Sequence, residues 1–479
     1  KRERLLQQKE LLQRKLQDFL SPTLSFSEEN RLMNQFEDRV GKGIDEGFLD
    51  VSFSIWLSFF HVYENGKRGV EWFFEQEQNR LTPEERAMAK QWTTLRPSVL
   101  QTVDKNEKGA WVEDYFSKER YFLPFVEMLT DLPPWATTFC MIEQSNDEYF
   151  VHGGAAWQGP EFLEPLSEKI NRLVAESGNT REQVVMDYFP EIFSVLLKDP
   201  LGKRNNHAEK IESITLSYHL NDKKKVVDQL FDHPHLIVNE WADGEGSFEW
   251  MEQWYRYEDS EVPDPVYLGE VNGTIEVKDD SIKFQTLHDK DVERFQSWIG
   301  NLWDVVTFKD RSVETIDVPR KVDFHTLRVQ MSEETPQYFA AFAQSRYYQD
   351  IDRGLPMFGN RSPRELVQDG EEKSVDLWLK QHEYMSYVNL RKQFGTTEQT
   401  DDLNSPRKEL GLPLSPFVTG GKERHSSIHP CENPLQRSNR VKKEDIPYYQ
   451  ALGLSPETKD EFFARDVVEF FKERTVGKS

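Results

Sequence analysis

A multidomain α+β protein is what three features of this sequence dictate. Its 479 residues exceed what one ordinary core holds, which points to about two to four packed units of roughly 100–200 residues each. Stretches with apolar residues at helical spacing alternate with short β-branched and aromatic runs divided by turn residues. Aromatic residues make up 13% of the chain, far more than disordered chains carry, while 30% charged residues imply broad solvated surfaces.

The opening KRERLLQQKELLQRKLQDFLSP places Leu5, Leu12, Leu16 and Phe19 near heptad spacing, an amphipathic helix stopped at Pro22. Further helices complete a helical bundle over 1–96. The last begins at LTPEERAMAKQW, with Thr82 as N-cap, Pro83 at the first helical position and Glu85 closing a capping box. Over 97–160 the five runs SVLQTV, GAWVEDYF, RYFLPFV, ATTFCMI and EYFVHGG predict a small five-stranded β-barrel or curled sheet. Such barrels often bind oligonucleotides, but residues 98–158 hold ten acids against four Lys/Arg, which repels phosphate.

Connecting helices fill 161–210, TREQVVMDYFPEIFSVLL being the clearest. An α+β domain over 211–320 then combines SITLSYHL, a charged helix, HLIVNEW and an antiparallel meander. Its long helix DKDVERFQSWIGNLWDVV lines up Val292, Phe295, Trp298, Ile299, Leu302, Trp303 and Val306 on one face to cover the sheet. SVETIDV adds an edge strand. A helical region over 331–394, a tether over 395–447 and a terminal helix over 448–479 complete the plan. Phe463, Val467, Phe470 and Phe471 give that last helix an apolar face for docking on the body or on a partner.

Charge narrows the function classes. A formal net charge of -24 opposes broad nucleic-acid affinity. Residues 1–15 and 420–443 are nevertheless basic, six Lys/Arg against two Glu in each, which leaves ribosome or RNA association through the ends as one reading. Residues 240–264 hold nine acids and one arginine amid aromatic rings. There Trp241, Glu245, Phe248, Glu249, Trp250, Trp254, Tyr255 and Tyr257 form a candidate surface for a basic protein partner, the alternative being that the rings fill the domain interior. The two cysteines, Cys140 and Cys431, are too few for a disulfide framework and predict a reducing, cytoplasmic compartment. The longest apolar stretch, VSFSIWLSFFHVYENG, is too short for a bilayer crossing and predicts no membrane partner.

PDPVYLGEVNGTIEVKDD, residues 263–280, carries Asp264, Glu276 and Lys278 in the order of a PD-(D/E)-x-K nuclease. That chemistry requires both carboxylates on one Mg²⁺, with the lysine orienting the attacking water. A two-residue turn at Asn272-Gly273 would pair Glu270 with Ile275, Gly269 with Glu276 and Leu268 with Val277. It would put Leu268, Ile275 and Val277 on one face and Tyr267, Glu276 and Lys278 on the other, with Asp264 roughly 16 Å from Glu276 along the strand. A second turn at Asp279-Asp280 would pair Val277 with Ile282, Ile275 with Phe284 and Glu276 with Lys283. A charged meander therefore accounts for these residues, and the nuclease stands as the alternative.

HSSIHPC offers His425, His429 and Cys431 as soft metal ligands, one short of the four that structural zinc takes. In DHPHL, His233 and His235 offer a metal pair but read first as a turn before a strand, and VHGG reads as a tight turn without a G-x-S-x-G elbow. No G-x-x-x-x-G-K-[ST] or G-x-G-x-x-G pattern occurs, so no nucleotide cofactor is expected.

In GNRSPRELVQDGEEKSVDLWLKQHEYM, Ser362 caps, Pro363 begins the helix and Glu365 closes the box; after Gly370 a second helix carries Val375, Trp378 and Leu379. This phrase resembles a C-terminal element of uncharacterised bacterial cytosolic proteins associated with SEC-C motifs, and is similar to the Xre/MbcA/ParS antitoxin segment. LTPEERAMAKQWTTLRPSVLQTVDKNEKGAWVEDYFSKERYFLP and YLGEVNGTIEVKDDSIKFQTLHDKDVERF resemble the helix-then-barrel and sheet-then-helix segments of the SEC-C-associated group. Together they cover about a third of the chain. The cysteine-rich zinc tail of that group is missing, so the resemblance carries over neither metal nor catalytic residue. It implies a bacterial, interaction-prone protein. The expectation is a bacterial, cytoplasmic, non-enzymatic binding or regulatory protein without cofactor.

Overall fold

A computed structural model describes residues 2–41, 46–126, 129–145, 147–198, 209–318, 325–395, 399–418, 424–435 and 445–453. The chain divides into two compact units, Lys1–Asn205 with Leu366–Lys422, and Asn206–Glu365 with Glu423–Ser479. The first opens with helices α1 (Arg2–Leu20), α2 (Phe26–Val40), α3 (Glu46–Phe59), α4 (Gly69–Glu77) and α5 (Pro83–Trp92). Strands β1 (Pro97–Asn106), β2 (Gly109–Asp114), β3 (Arg120–Pro124), β4 (Thr137–Ser145) and β5 (Glu148–His152) follow, then α6 (Leu163–Ser177), α7 (Arg181–Asp187) and α8 (Phe189–Leu197).

The second unit begins with β6 (Glu209–Leu220), α9 (Lys223–Asp232), β7 (Leu236–Ala242), β8 (Glu245–Asp259), β9 (Val266–Lys278) and β10 (Ser281–Thr286). It continues with α10 (Asp289–Gly300), β11 (Val306–Val318), β12 (Thr326–Gln330) and α11 (Tyr338–Tyr348). The chain crosses back through α12 (Pro363–Gln368), adds α13 (Glu372–Phe394) and α14 (Asn404–Leu410) to the first unit, and ends in the second with β13 (Ser426–Cys431) and α15 (Ile446–Ala451). No helix among the described residues is long and apolar enough to cross a membrane.

In the first unit the expected bundle, sheet and connecting helices share one core. The antiparallel order β3-β2-β1-β4-β5 is apolar on both faces. Val99, Phe139, Met141 and Phe150 meet the helices, while Leu100, Ala110, Val112, Leu123 and Cys140 fill the inside of the curl. A sheet with two apolar faces cannot stand alone, so the segments 1–96, 97–160 and 161–210 fuse. The edges approach, Tyr121 and Tyr149 rings lying 5.0 Å apart, yet the five strands form an open curled sheet rather than a closed barrel. In α1, Leu5, Leu12, Leu16 and Leu20 are buried and Phe19 is half-buried. The Thr82 capping box is present, with Glu85 N donating to Thr82 Oγ1 at 3.2 Å and Thr82 N to Glu85 Oε2 at 3.1 Å.

The second unit is built on one long ribbon, β8 with β9. At one end they join the order β11-β6-β10-β9-β8-β7, covered by α9 and α10; at the other they join β12-β9-β8-β13, against which α11 packs. The alternation of β9 shifts phase between the two ends: Val266 and Leu268 are buried in one half, Ile275 and Val277 in the other, and these have opposite parity along one strand. Two register shifts flanking Met251 account for it, the first with its extra residue, Asn272, in β9 and the second with its extra residue in β8.

This corrects the expected Asn272-Gly273 turn, since both residues lie inside β9. Glycine is needed at 273 for close approach: a Cβ there would stand 2.3 Å from the Phe284 ring and 3.0 Å from the Gln285 carbonyl oxygen. The second turn is present in the expected register, Val277 opposite Ile282, Glu276 opposite Lys283 and Ile275 opposite Phe284, with Asp279 at φ 51. Helix α10 ends at Gly300, and Trp303, expected on its buried face, is 79% exposed. The expected tether contributes α14 and β13, because Asp402 accepts from the Asn404 and Ser405 amides to start the helix and Arg424 anchors the strand. The expected helix beyond residue 453 lies outside the described residues.

Candidate functional site

The four-stranded end of the ribbon presents one face to α11, and a cleft opens over part of the other. Tyr347 of α11 and Tyr255 of β8 both donate to Glu270 Oε1, at 2.6 and 3.1 Å, and their rings meet edge-on at 5.3 Å. Beside them Asp259 accepts from Tyr257 at 2.7 Å and from Arg424 Nε and Nη2 at 3.1 and 2.6 Å. Arg424 and Asp259 are both buried, and the guanidinium also lies over the Phe342 ring. A buried pair with this bidentate geometry fixes β13 to β8.

Register sets the opposite face. Gln330 lies opposite Tyr267, Tyr267 opposite Arg256 and Arg256 opposite His429, one row across four strands. The next row runs Arg328, Gly269, Trp254 and Cys431. Trp254 lies on Gly269, where a Cβ would come within 3.0 Å of its ring and 2.2 Å of the Met251 methyl. The Trp254 indole N–H is buried with no hydrogen-bond partner among the described residues.

Over this face opens a cleft of about 730 Å³. One wall is the end of β12 with Gln330, Met331 and Ser332, the other the end of β13 with Cys431 through Leu435; Arg256, Tyr267 and Asp264 complete it. The charged lining groups are Asp264, Glu432 and Arg256, and Arg256 already pairs with Glu258 at 2.7 Å. The uncommitted charge is therefore negative. Burial raises the Cys431 thiol above its ordinary value, which keeps it protonated at neutral pH.

The sequence-derived candidates divide. Phe248, Trp250, Trp254 and Tyr257 are buried and Trp241 and Tyr255 partly so, which corrects the aromatic contact surface expected there. Alternation along two bulged strands turns Phe248 and Trp250 to the α9 and α10 core and Tyr257 towards α11. Glu249 is bound by Arg328 at 2.6 Å, and Glu245 accepts from the Asp279 amide at 2.6 Å. Asp264 lines the cleft, whereas Glu276 and Lys278 sit near the far end of β9. At about 3.3 Å per residue the two carboxylates are on the order of 30 Å apart, too far to share an ion. His429 and Cys431 share a face two residues apart, and His425 lies about 13 Å further along. No group of three or more His, Cys, Asp or Glu among the described residues could hold a metal ion.

Two buried polar clusters in the first unit escape sequence reading. Glu143 of β4 accepts from Trp92 Nε1 at 2.6 Å and His152 Nδ1 at 2.9 Å, and pairs with Lys9 of α1. The carboxylate takes the Nδ1 proton's hydrogen bond, leaving buried Nε2 unpartnered among the described residues. Burial, then Lys9, push His152 down to about 3, and burial brings Lys9 to about 8. In the other, Trp135 Nε1 and Ser415 Oγ both donate to Glu383 at 2.7 Å, with burial raising that carboxyl. Trp135 holds φ 59, costly for a bulky residue. The partners lie far apart in sequence, so no local pattern announces either cluster. The first ties α1 and α5 to β4 and β5, and the second ties α13 to the turn holding Trp135 and the loop holding Ser415.

The chain matches no known family of proteins in a comparison of family models, and a comparison with curated proteins finds no significant relative.

Proposed function

We propose that this chain is a binding protein whose second unit takes up an extended, basic segment of a protein partner in the cleft above Tyr267. The observation that carries the reading is the cleft itself, over a sheet face and walled by two strand ends, with Asp264 and Glu432 unpaired among the described residues. Flat sheet faces with amide and hydroxyl groups such as Gln330, Ser332 and Asn433 suit a peptide backbone, and carboxylates choose lysine or arginine side chains. The net charge of -24 adds long-range attraction for the same class of partner.

The basic amino-terminal run supports an RNA reading less well, because Lys9 and Lys15 are engaged by Glu143 and Glu85. Residues 436–443 of the second basic run lie outside the described residues. Calorimetric titration of the full chain with a ten-residue peptide alternating lysine and threonine tests the proposal. The peptide is expected to bind at low salt, more weakly at high salt, and not to the Asp264→Lys, Glu432→Lys double variant. Equal binding by the variant, or equal binding of a glutamate-for-lysine peptide, would overturn it.

A further inference from the structure

From the cavity where α1, α2 and α3 meet we infer a second binding site, one that takes a small aliphatic amine. The cavity lies wholly within the first unit and measures about 370 Å³, the size of a small-molecule site. Its apolar side is Leu20 at the end of α1, Met33 of α2, and Phe53 and Leu57 of α3.

Helical spacing builds the site. Glu29 and Met33 stand one turn apart on α2, and Asp50, Ser54 and Ser58 follow one another at single turns along α3. Each of these helices therefore brings a carboxylate and, a turn further on, groups that line the interior. Burial sorts them by depth: Glu29 and Asp50 are exposed, Met33 and Leu57 half-buried, and Leu20 and Phe53 buried. The acids stand at the mouth with the apolar side chains behind them.

The polar groups name the chemistry of the ligand. Neither Glu29 nor Asp50 has an ion pair or side-chain hydrogen bond among the described residues, so the mouth carries two carboxylates without a cation. Ser58 lines the cavity while only 6% exposed, and its hydroxyl makes no hydrogen bond among the described residues. Buried hydroxyls are ordinarily bonded, and a void left by imperfect packing would be apolar throughout. Gln17 spends its amide nitrogen on Ser54 Oγ at 3.1 Å, which leaves its carbonyl oxygen. Two carboxylates, a hydroxyl oxygen and an amide oxygen are all acceptors, and an ammonium group is a cation with three donors and no acceptor. A methylene chain attached to it would cover Phe53 and Leu57.

Calorimetric titration of the full chain with hexylamine tests this, at about 0.15 M salt so that scattered surface charge is screened. Hexylamine should bind at one site per chain, and hexanol and hexanoate at least about tenfold more weakly. Glu29→Gln with Asp50→Asn should weaken hexylamine at least about tenfold, and Ser58→Ala about two- to tenfold. Glu168→Gln with Glu176→Gln makes the same change in net charge on exposed positions of α6 and should leave the affinity unchanged. Circular dichroism checks that each variant is folded. Absence of saturable binding, equal binding of hexanol, wild-type affinity in the Glu29→Gln, Asp50→Asn variant or in Ser58→Ala, or an equal loss in the α6 variant would each overturn the inference.

Discussion

His152 should make the first unit acid-sensitive, and the size of the effect follows from its burial. The ring is held between Phe59 and Trp92, with centroids 4.7 and 4.6 Å away, and donates through Nδ1 to Glu143. Burial, with Lys9 adding like charge, depresses it from 6.5 to about 3. Between those values the unfolded chain binds a proton that the folded chain refuses, so stability is full above pH 6.5 and falls as pH drops towards 3. From pH 7.5 to 4.5 the loss is about 3 kcal/mol. His152→Gln keeps a donor for Glu143 and cannot titrate. Urea unfolding read by hydrogen exchange of the β4–β5 hairpin, in both proteins across that range, should show the wild type losing about 3 kcal/mol more than the variant. Parallel stability curves would show that the imidazole is not held neutral by its surroundings.

Three substitutions in the second unit follow from the same geometry. Gly273→Ala drives a methyl to 2.3 Å from the Phe284 ring and against backbone; it should cost about 1–3 kcal/mol, checked by urea denaturation. Arg424→Met strands the buried Asp259 carboxylate and should cost about 3–5 kcal/mol, with faster hydrogen exchange in β13, whereas Arg424→Met with Asp259→Leu should recover most of it. Trp254→Phe removes a buried N–H with no partner among the described residues but leaves a cavity where the larger ring packs over Gly269; the two effects oppose, so urea denaturation should show a loss no larger than about 1–2 kcal/mol, and a loss approaching the about 3–5 kcal/mol of a full Trp truncation would refute the idea that the indole N–H is unsatisfied.

Local signals were legible where one residue and its neighbours decide the outcome. The Thr82 box, the Asp279-Asp280 turn with its register and the amphipathic first helix all rest on interactions within a few residues. What could not be read depends on distant partners. Nothing near Arg424 in a Pro/Gly/Ser-rich stretch indicates that Asp259, 165 positions earlier, will bury it. Likewise Lys9 looks like one charge in a basic run until Glu143 is folded against it. Domain boundaries failed for a related reason, because a strand's periodicity reveals one apolar face but not that the other face also needs cover.

The aromatic-rich acidic stretch shows how composition misleads when a strand's alternation shifts phase. In β8, Phe248 and Trp250 belong to one core, Tyr257 to the α11 side and the buried Trp254 to the face opposite α11, because the register shifts around Met251 change the alternation. Read without bulges, the rings fall on both faces and resemble a loop's decoration. The partner strand carries a matching break, buried Val266 and Leu268 out of phase with Ile275 and Val277. An Asn-Gly pair at such a break invites a turn by its own chemistry. The Phe284 ring packed where a Cβ would stand shows why glycine is kept there in an extended chain. The same phase change turns Tyr267 and Arg256 away from α11 and beneath the cleft, so the candidate site and the failed hairpin have one physical cause.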